Sequence, residues 1–206
     1  MKILIATPLY PPEIGGPATY AKELVEGLPE RGINVTLVKF SDVRYLPKLL
    51  RHFVYYLKVL RTLPEHDVAL ALDPVSVGLP VMNAAKKLNK PFVVKIVGDY
   101  AWEQGVQRFG VTEALDEFVK NKQSNFFVRK LQNIQTRVAH AANRVLVPSP
   151  YLKDIVMQWG IPEDKITMIN NAITIPTAIP IQKKNKELLI VSAGRRVPWK
   201  GFEAIE

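Results

Sequence analysis

The sequence predicts an α/β fold: a parallel sheet covered by helices on both faces, followed by the opening unit of a second domain. Three observations carry this prediction. Short apolar runs rich in β-branched residues alternate with amphipathic stretches. The runs are apolar on both faces, as strands buried from two sides are. Breaks at Arg31-Gly32 and Lys90-Pro91 fall where a helix would hand over to a strand.

Taken in order, Ile3 to Ala6 reads as the first strand, and a glycine-bearing loop then leads to a helix over 18–31. Strands follow at Val35 to Val38, Val68 to Leu72, Phe92 to Ile96 and Val145 to Val147. The intervening helices are expected over 46–61, 76–88 and 124–141, with a last one over 150–159 that Ser149 would N-cap. These elements assign 1–170 to one domain. The stretch 171–187 combines prolines, β-branched residues and a basic cluster without helical period, and reads as an interdomain linker. Beyond it, "LLIVSAGRRVPWKGFEAIE" restarts the strand-loop-helix pattern, so 188–206 is expected to open a truncated second domain.

Composition narrows the function classes. With 48% hydrophobic and 23% charged residues the chain is globular in character, and no apolar run reaches the ~20 residues of a membrane span. The N-terminus lacks a small-residue cleavage site and reads as a buried strand, not a signal peptide. Zero cysteines exclude a disulfide framework and a thiolate metal site, which fits the cytoplasm. The three histidines are scattered, and no triad or metal-ligand spacing is visible, so no metal is expected. A net charge of +9 favours anionic partners.

Four features are candidates for chemistry. In "TPLYPPEIGGPATY", Gly15-Gly16 precedes a helix, where glycine lets a backbone approach a ligand and a helix N-terminus attracts anions. A turn that merely needs glycine explains the pair equally well, and the spacing is not that of a dinucleotide fingerprint. In "KIVGDYAWEQG", at the end of a buried strand, Asp99 suits a hydroxyl-rich ligand, and Tyr100 and Trp102 offer apolar faces. Turn chemistry and packing account for the same residues. In the C-terminal loop, Arg195, Arg196 and Lys200 flank glycines at a strand-to-helix junction, an arrangement that suits a diphosphate. Finally, Val43 to Pro64 and Phe118 to Lys153 contain no acidic residue. On the first of these, Leu46, Leu49, Leu50, Phe53, Leu57 and Leu60 form one stripe. Lys48, Arg51 and Lys58 fall on the other face, as a candidate patch for an anionic membrane. An ordinary solvated face is the alternative.

At this point a family resemblance can be read. "PPEIGGPATYAKELVEGLPERGINVTLV" resembles the glycine loop, first helix and second strand of GT-B glycosyltransferases of the family 4 type. "AANRVLVPSPYLKDIVMQWGIPEDKITMINNAI" is similar to the end of that family's N-terminal domain, and "SAGRRVPWKGFEAIE" to the G-R-[LR]-x-x-x-K-G segment that opens its C-terminal domain. The resemblance implies two Rossmann-like domains and a retaining transfer from a nucleotide-sugar, with no further cofactor. It implies that Gly15 and Gly16 lie near the donor diphosphate and that Arg195 and Lys200 bind it. The N-terminal domain would select an acceptor glycan, lipid-linked acceptor or small molecule, and several relatives sit on membranes through basic patches. The implied place is therefore cytoplasmic, at the inner face of the plasma membrane for a peripheral enzyme. Two departures matter. Val97-Gly98-Asp99 stands where many relatives carry a His, leaving Asp99 as the nearest polar substitute for a catalytic group. The family's downstream E-x7-E region would lie beyond Glu206, so the chain is expected to be inactive alone. The rival reading is a non-catalytic α/β module that binds an anionic membrane or polymer through the acid-free helices. The absence of aromatic-basic motifs argues against nucleic acid.

Overall fold

The computed structural model describes residues 1–121, 125–172 and Gly194, apart from the side chains of Lys48 and Leu49. The expected linker and second-domain segment therefore lie almost wholly outside the described residues, as do Arg195 and Lys200. Among the described residues six strands form one parallel sheet: β1 (Lys2–Thr7), β2 (Asn34–Lys39), β3 (Val68–Ala71), β4 (Phe92–Lys95), β5 (Arg144–Val147) and β6 (Ile166–Met168). Their spatial order is β2-β1-β3-β4-β5-β6, so β1 pairs with β2 on one side and β3 on the other.

Among the described residues seven helices join them: α1 (Gly16–Gly27), α2 (Lys48–Thr62), α3 (Gly78–Leu88), α4 (Tyr100–Arg108), α5 (Leu115–Lys120), α6 (Phe126–Ala141) and α7 (Pro150–Gln158). Alternation along each strand feeds two cores. Ile5 meets Ala21 of α1 on one face, with Ile3, Val35, Leu37 and Leu70 around them. On the other face, Leu4, Ala6, Ala69, Ala71, Val94, Val145 and Val147 pack with Tyr55, Val59, Val81, Val138 and Val156 from α2, α3, α6 and α7. Right-handed crossovers produce this division: the one connection running leftward puts α1 on one face, and those running rightward put their helices on the other. The Rossmann-like fold expected from sequence is therefore present.

The details differ where local chemistry intervenes. The helix expected over 18–31 ends at Gly27, and a 3₁₀ turn, Pro29–Arg31, follows because Pro29 has no N–H to continue the ladder. Ser149 does cap α7, accepting from the Leu152 N–H at 3.3 Å. The apolar stripe expected around α2 packs only in part, with Leu46 and Leu60 against the core. Tyr55 and Val59 are fully buried, while Leu50 and Phe53 are 46% and 57% exposed. The tyrosine can enter the core because its hydroxyl donates to the Val38 carbonyl oxygen at 2.8 Å and its ring meets Phe40 edge-on. Helices α4 and α5 and strand β6 were not expected. In α4 the interior Gly105 masks the helical pattern, yet a Cβ there would lie 2.8 Å from a Val111 methyl.

Candidate functional site

A parallel sheet opens at the carboxyl ends of its strands where the strand order reverses. Here that point lies between β1 and β3, and a cleft of about 320 Å³ occupies it. Gly16, Tyr20 and Glu23 of α1 line one side, Leu72 follows β3, and Lys95 and Val97 come from the end of β4. Asn171 and Ala172, just after β6, complete it.

The loop that delivers α1 to this cleft is pinned from β2's far end. The Arg44 guanidinium pairs with the Glu13 carboxylate and donates to the Pro8 carbonyl oxygen at 3.1 Å, while Glu13 accepts from the Tyr10 N–H. Gly15 then adopts φ 153° and ψ 158°, a conformation essentially restricted to glycine. Its carbonyl oxygen accepts from the Ala18 and Thr19 N–H groups at 3.0 and 3.1 Å, and Pro17 has none to offer. Among the described residues, Gly16 therefore holds the one unengaged N–H of the first turn. The helix N-terminus reaches the cleft with a single backbone donor rather than a ring of them.

The residue that sequence reasoning missed is Lys95. It was read as part of an apolar strand, but a cation at the carboxyl end of a buried strand is itself a signal of a site. Lys95 is only 2% exposed. Its ammonium donates to Asn171 Oδ1 at 2.8 Å and sits 3.3 Å from the centroid of the Tyr20 ring. No carboxylate lies within ion-pairing distance among the described residues. Burial lowers its pKa from 10.5 to about 8, against the opposing pull of the Glu23 charge.

The "GDYAW" residues divide among other tasks. Asp99, 1% exposed, N-caps α4 by accepting from the Trp102 N–H at 2.9 Å. Burial raises its pKa, against bonds that favour the ionised form. It lines a separate polar cavity of about 120 Å³ with Gln135 and Trp159, and it is not among the residues of the α1 cleft. Trp102 packs with Ala101, Phe118 and Val128 and donates from Nε1 to the Glu113 carbonyl oxygen. Tyr100 is half-buried, with its hydroxyl 3.4 Å from Ser76 Oγ. Beside it, Asp73 holds the Val75 and Ser76 N–H groups at 2.6 Å each, and burial pushes its carboxyl up to about 6.

The basic residues of α2 are partly engaged. Arg51 is half-buried, its guanidinium 5.9 Å from the Phe40 ring centroid, and Lys58 pairs with Asp42 at 3.0 Å. The side chain of Lys48 lies outside the described residues. Among the described residues no group of three or more His, Cys, Asp or Glu side chains could hold a metal ion, and no helix is long and apolar enough to cross a membrane.

No curated protein matches the sequence. Among solved structures, the chain is similar to HepE of Anabaena in complex with UDP, with a TM-score of 0.55, 16% identity, and coverage of 84% of this chain and 44% of HepE. HepE with UDP and glucose gives a TM-score of 0.54 at 16% identity, covering 84% and 45%. The UDP-GlcNAc 2-epimerase from Methanocaldococcus jannaschii gives 0.54 at 15% identity, covering 83% and 46%. The chain thus spans less than half the length of these structures, and at such identities the likeness is one of fold. The sequence itself goes further: residues 14–175 match the family model for Glycosyltransferase Family 4, which takes in the glycine loop, the cleft and the whole sheet beyond β1, and the chain belongs to that family.

Proposed function

We propose that the protein is a retaining GT-B glycosyltransferase that moves a sugar from a nucleotide-sugar donor to an acceptor bound at the α1 cleft. The match to Glycosyltransferase Family 4 carries this reading. The cleft at the strand-order reversal supports it, as do fold neighbours that hold UDP, or UDP with glucose. In the reaction, the bond between the anomeric carbon and the diphosphate oxygen breaks, and its electron pair leaves with the nucleoside diphosphate. The acceptor oxygen forms the new glycosidic bond on the same face and gives up its proton to the departing diphosphate oxygen. In this reading Arg195 and Lys200 stabilise the departing diphosphate, and the Gly16 N–H contributes a backbone donor. Asp99 holds the β4–α4 turn from behind the cleft. The acceptor, whether glycan, lipid-linked or small molecule, takes the α1 side.

The domain division at 170, with a linker over 171–187 and a donor-binding unit from 188, belongs to this proposal. So does contact with an anionic membrane, which the exposed Leu50 and Phe53 of α2 favour and the engagement of Lys58 with Asp42 weakens. The non-catalytic alternative has no comparable support. Release of nucleoside diphosphate from a panel of nucleotide-sugars by the full-length protein tests the reading, with the anomeric configuration of the product read by NMR. Retained configuration supports it. Inverted configuration, or no release from any donor, rejects it.

A further inference from the structure

Lys95 poses a specific physical problem. An ammonium this deeply buried is costly unless a counter-charge accompanies it. Its partners here are both neutral: the Asn171 amide oxygen at 2.8 Å and the Tyr20 ring at 3.3 Å. They fix the position of the charge without cancelling it. Glu23, the acidic residue of the cleft, is exposed and forms no ion pair with Lys95. The nearby walls contributed by Pro17, Leu72 and Val97 are apolar, so little else in the cleft solvates a cation. A positioned, unneutralised ammonium facing an open cleft is the arrangement expected of an anion subsite. With protein on most sides of the ammonium, an entering anion gains more from it than from an exposed lysine.

We propose that Lys95 is a substrate-recognition residue whose ammonium receives one anionic oxygen group, a phosphate or a carboxylate, carried into the α1 cleft by the substrate. This rests on the transferase reading only for the word substrate; the subsite itself rests on the geometry. A single cation and a single unengaged backbone N–H suit one anionic group attached to an apolar body better than a bare polyanion. That chemistry describes an acidic acceptor, and a donor diphosphate is the other source of the same group.

Calorimetric titration separates these sources. The probes are n-octyl phosphate below its micelle concentration, neutral n-octyl glucoside, and inorganic pyrophosphate. They are titrated into wild type, Lys95→Met and Lys95→Arg, with Lys95→Gln as a second neutral variant should the methionine protein fail to fold. Octyl phosphate is expected to bind wild type more tightly than octyl glucoside does. The neutral variant should lose on the order of tenfold or more in affinity for it, as befits a charge-assisted bond, and Lys95→Arg should retain most of it. Lys95-dependent binding of pyrophosphate above octyl phosphate keeps the anion subsite and assigns it to the donor. Binding of neither anion to wild type, or equal binding by the neutral variant, overturns the proposal. Nucleotide-sugar turnover is scored separately, on the full-length protein. Turnover without Lys95-dependent anion binding rejects this inference alone, and anion binding without turnover rejects the transferase reading alone.

Discussion

Replacing Lys95 with methionine should make the protein more stable at neutral pH, and the gain should fade as pH rises. Burial lowers the lysine pKa from 10.5 to about 8 in the folded protein. At about 1.4 kcal/mol per tenfold, that gap corresponds to about 3 kcal/mol of native-state cost for carrying the charge. Water on the open side of the cleft and loss of the bond to Asn171 reduce the expected gain to about 1–2 kcal/mol. The sign with pH follows from linkage. Below pH 8 both folded and unfolded lysine are protonated, and the full cost is present. Between about 8 and 10.5 the unfolded chain binds more protons than the native one, so wild-type stability climbs relative to the variant. Urea unfolding of both proteins at pH 7, 8, 9 and 10 measures the difference directly, with other titrations largely common to the pair. A methionine variant less stable than wild type at pH 7 would refute the reasoning. A difference that stays constant to pH 10 would refute it too.

Other perturbations test neighbouring parts of the account. Asp73 has its carboxyl raised from 3.8 to about 6 by burial, so its contribution to stability is full below 3.8 and lost as pH rises through about 6. Asp73→Asn keeps an oxygen for the Val75 and Ser76 N–H groups, and thermal melts should show it more stable than wild type by about 1–2 kcal/mol at pH 7, converging toward pH 4. Gly15→Ala should cost about 1–3 kcal/mol in urea unfolding, since φ 153° is hostile to a side chain and the new Cβ would lie 3.3 Å from Leu9 Cδ1. Asp99→Ala should lose about 1–2 kcal/mol of stability through the uncapped α4 while leaving the KM for a nucleotide-sugar unchanged. A raised KM in the folded variant would return Asp99 to the substrate.

The parts legible in the sequence were those whose signal is local. Val35–Val38 and Phe92–Ile96 announce themselves as strands because buried parallel strands need β-branched residues on both faces. The Gly15-Gly16 pair stood out because two glycines before a helix mark either a tight turn or a close backbone approach, and the structure puts Gly16 in the lining of the cleft. Strand β6 hid because only Ile166 of its three residues is buried, which leaves no alternation to read. The α2 stripe was legible only in part because two apolar faces compete on that helix, and the choice depends on Val38 and Phe40, which lie outside it. Lys95 shows the limit most clearly. Its partners stand 75 residues before it and 76 after it, at Tyr20 and Asn171, and no window of sequence brings the three together.

The central claim is that nucleotide-sugar chemistry takes place at the α1 cleft, and the most direct test joins the two. Nucleoside diphosphate release from the donor panel is measured for the full-length wild-type protein and for its Gly16→Leu variant. A Cβ at Gly16 meets nothing within 4 Å, so the fold should tolerate the side chain while the cleft it lines is obstructed. The account predicts turnover with at least one donor in wild type and its loss in Gly16→Leu at an unchanged Tm. Turnover that survives a leucine at position 16, or no turnover in wild type with any donor, would contradict it.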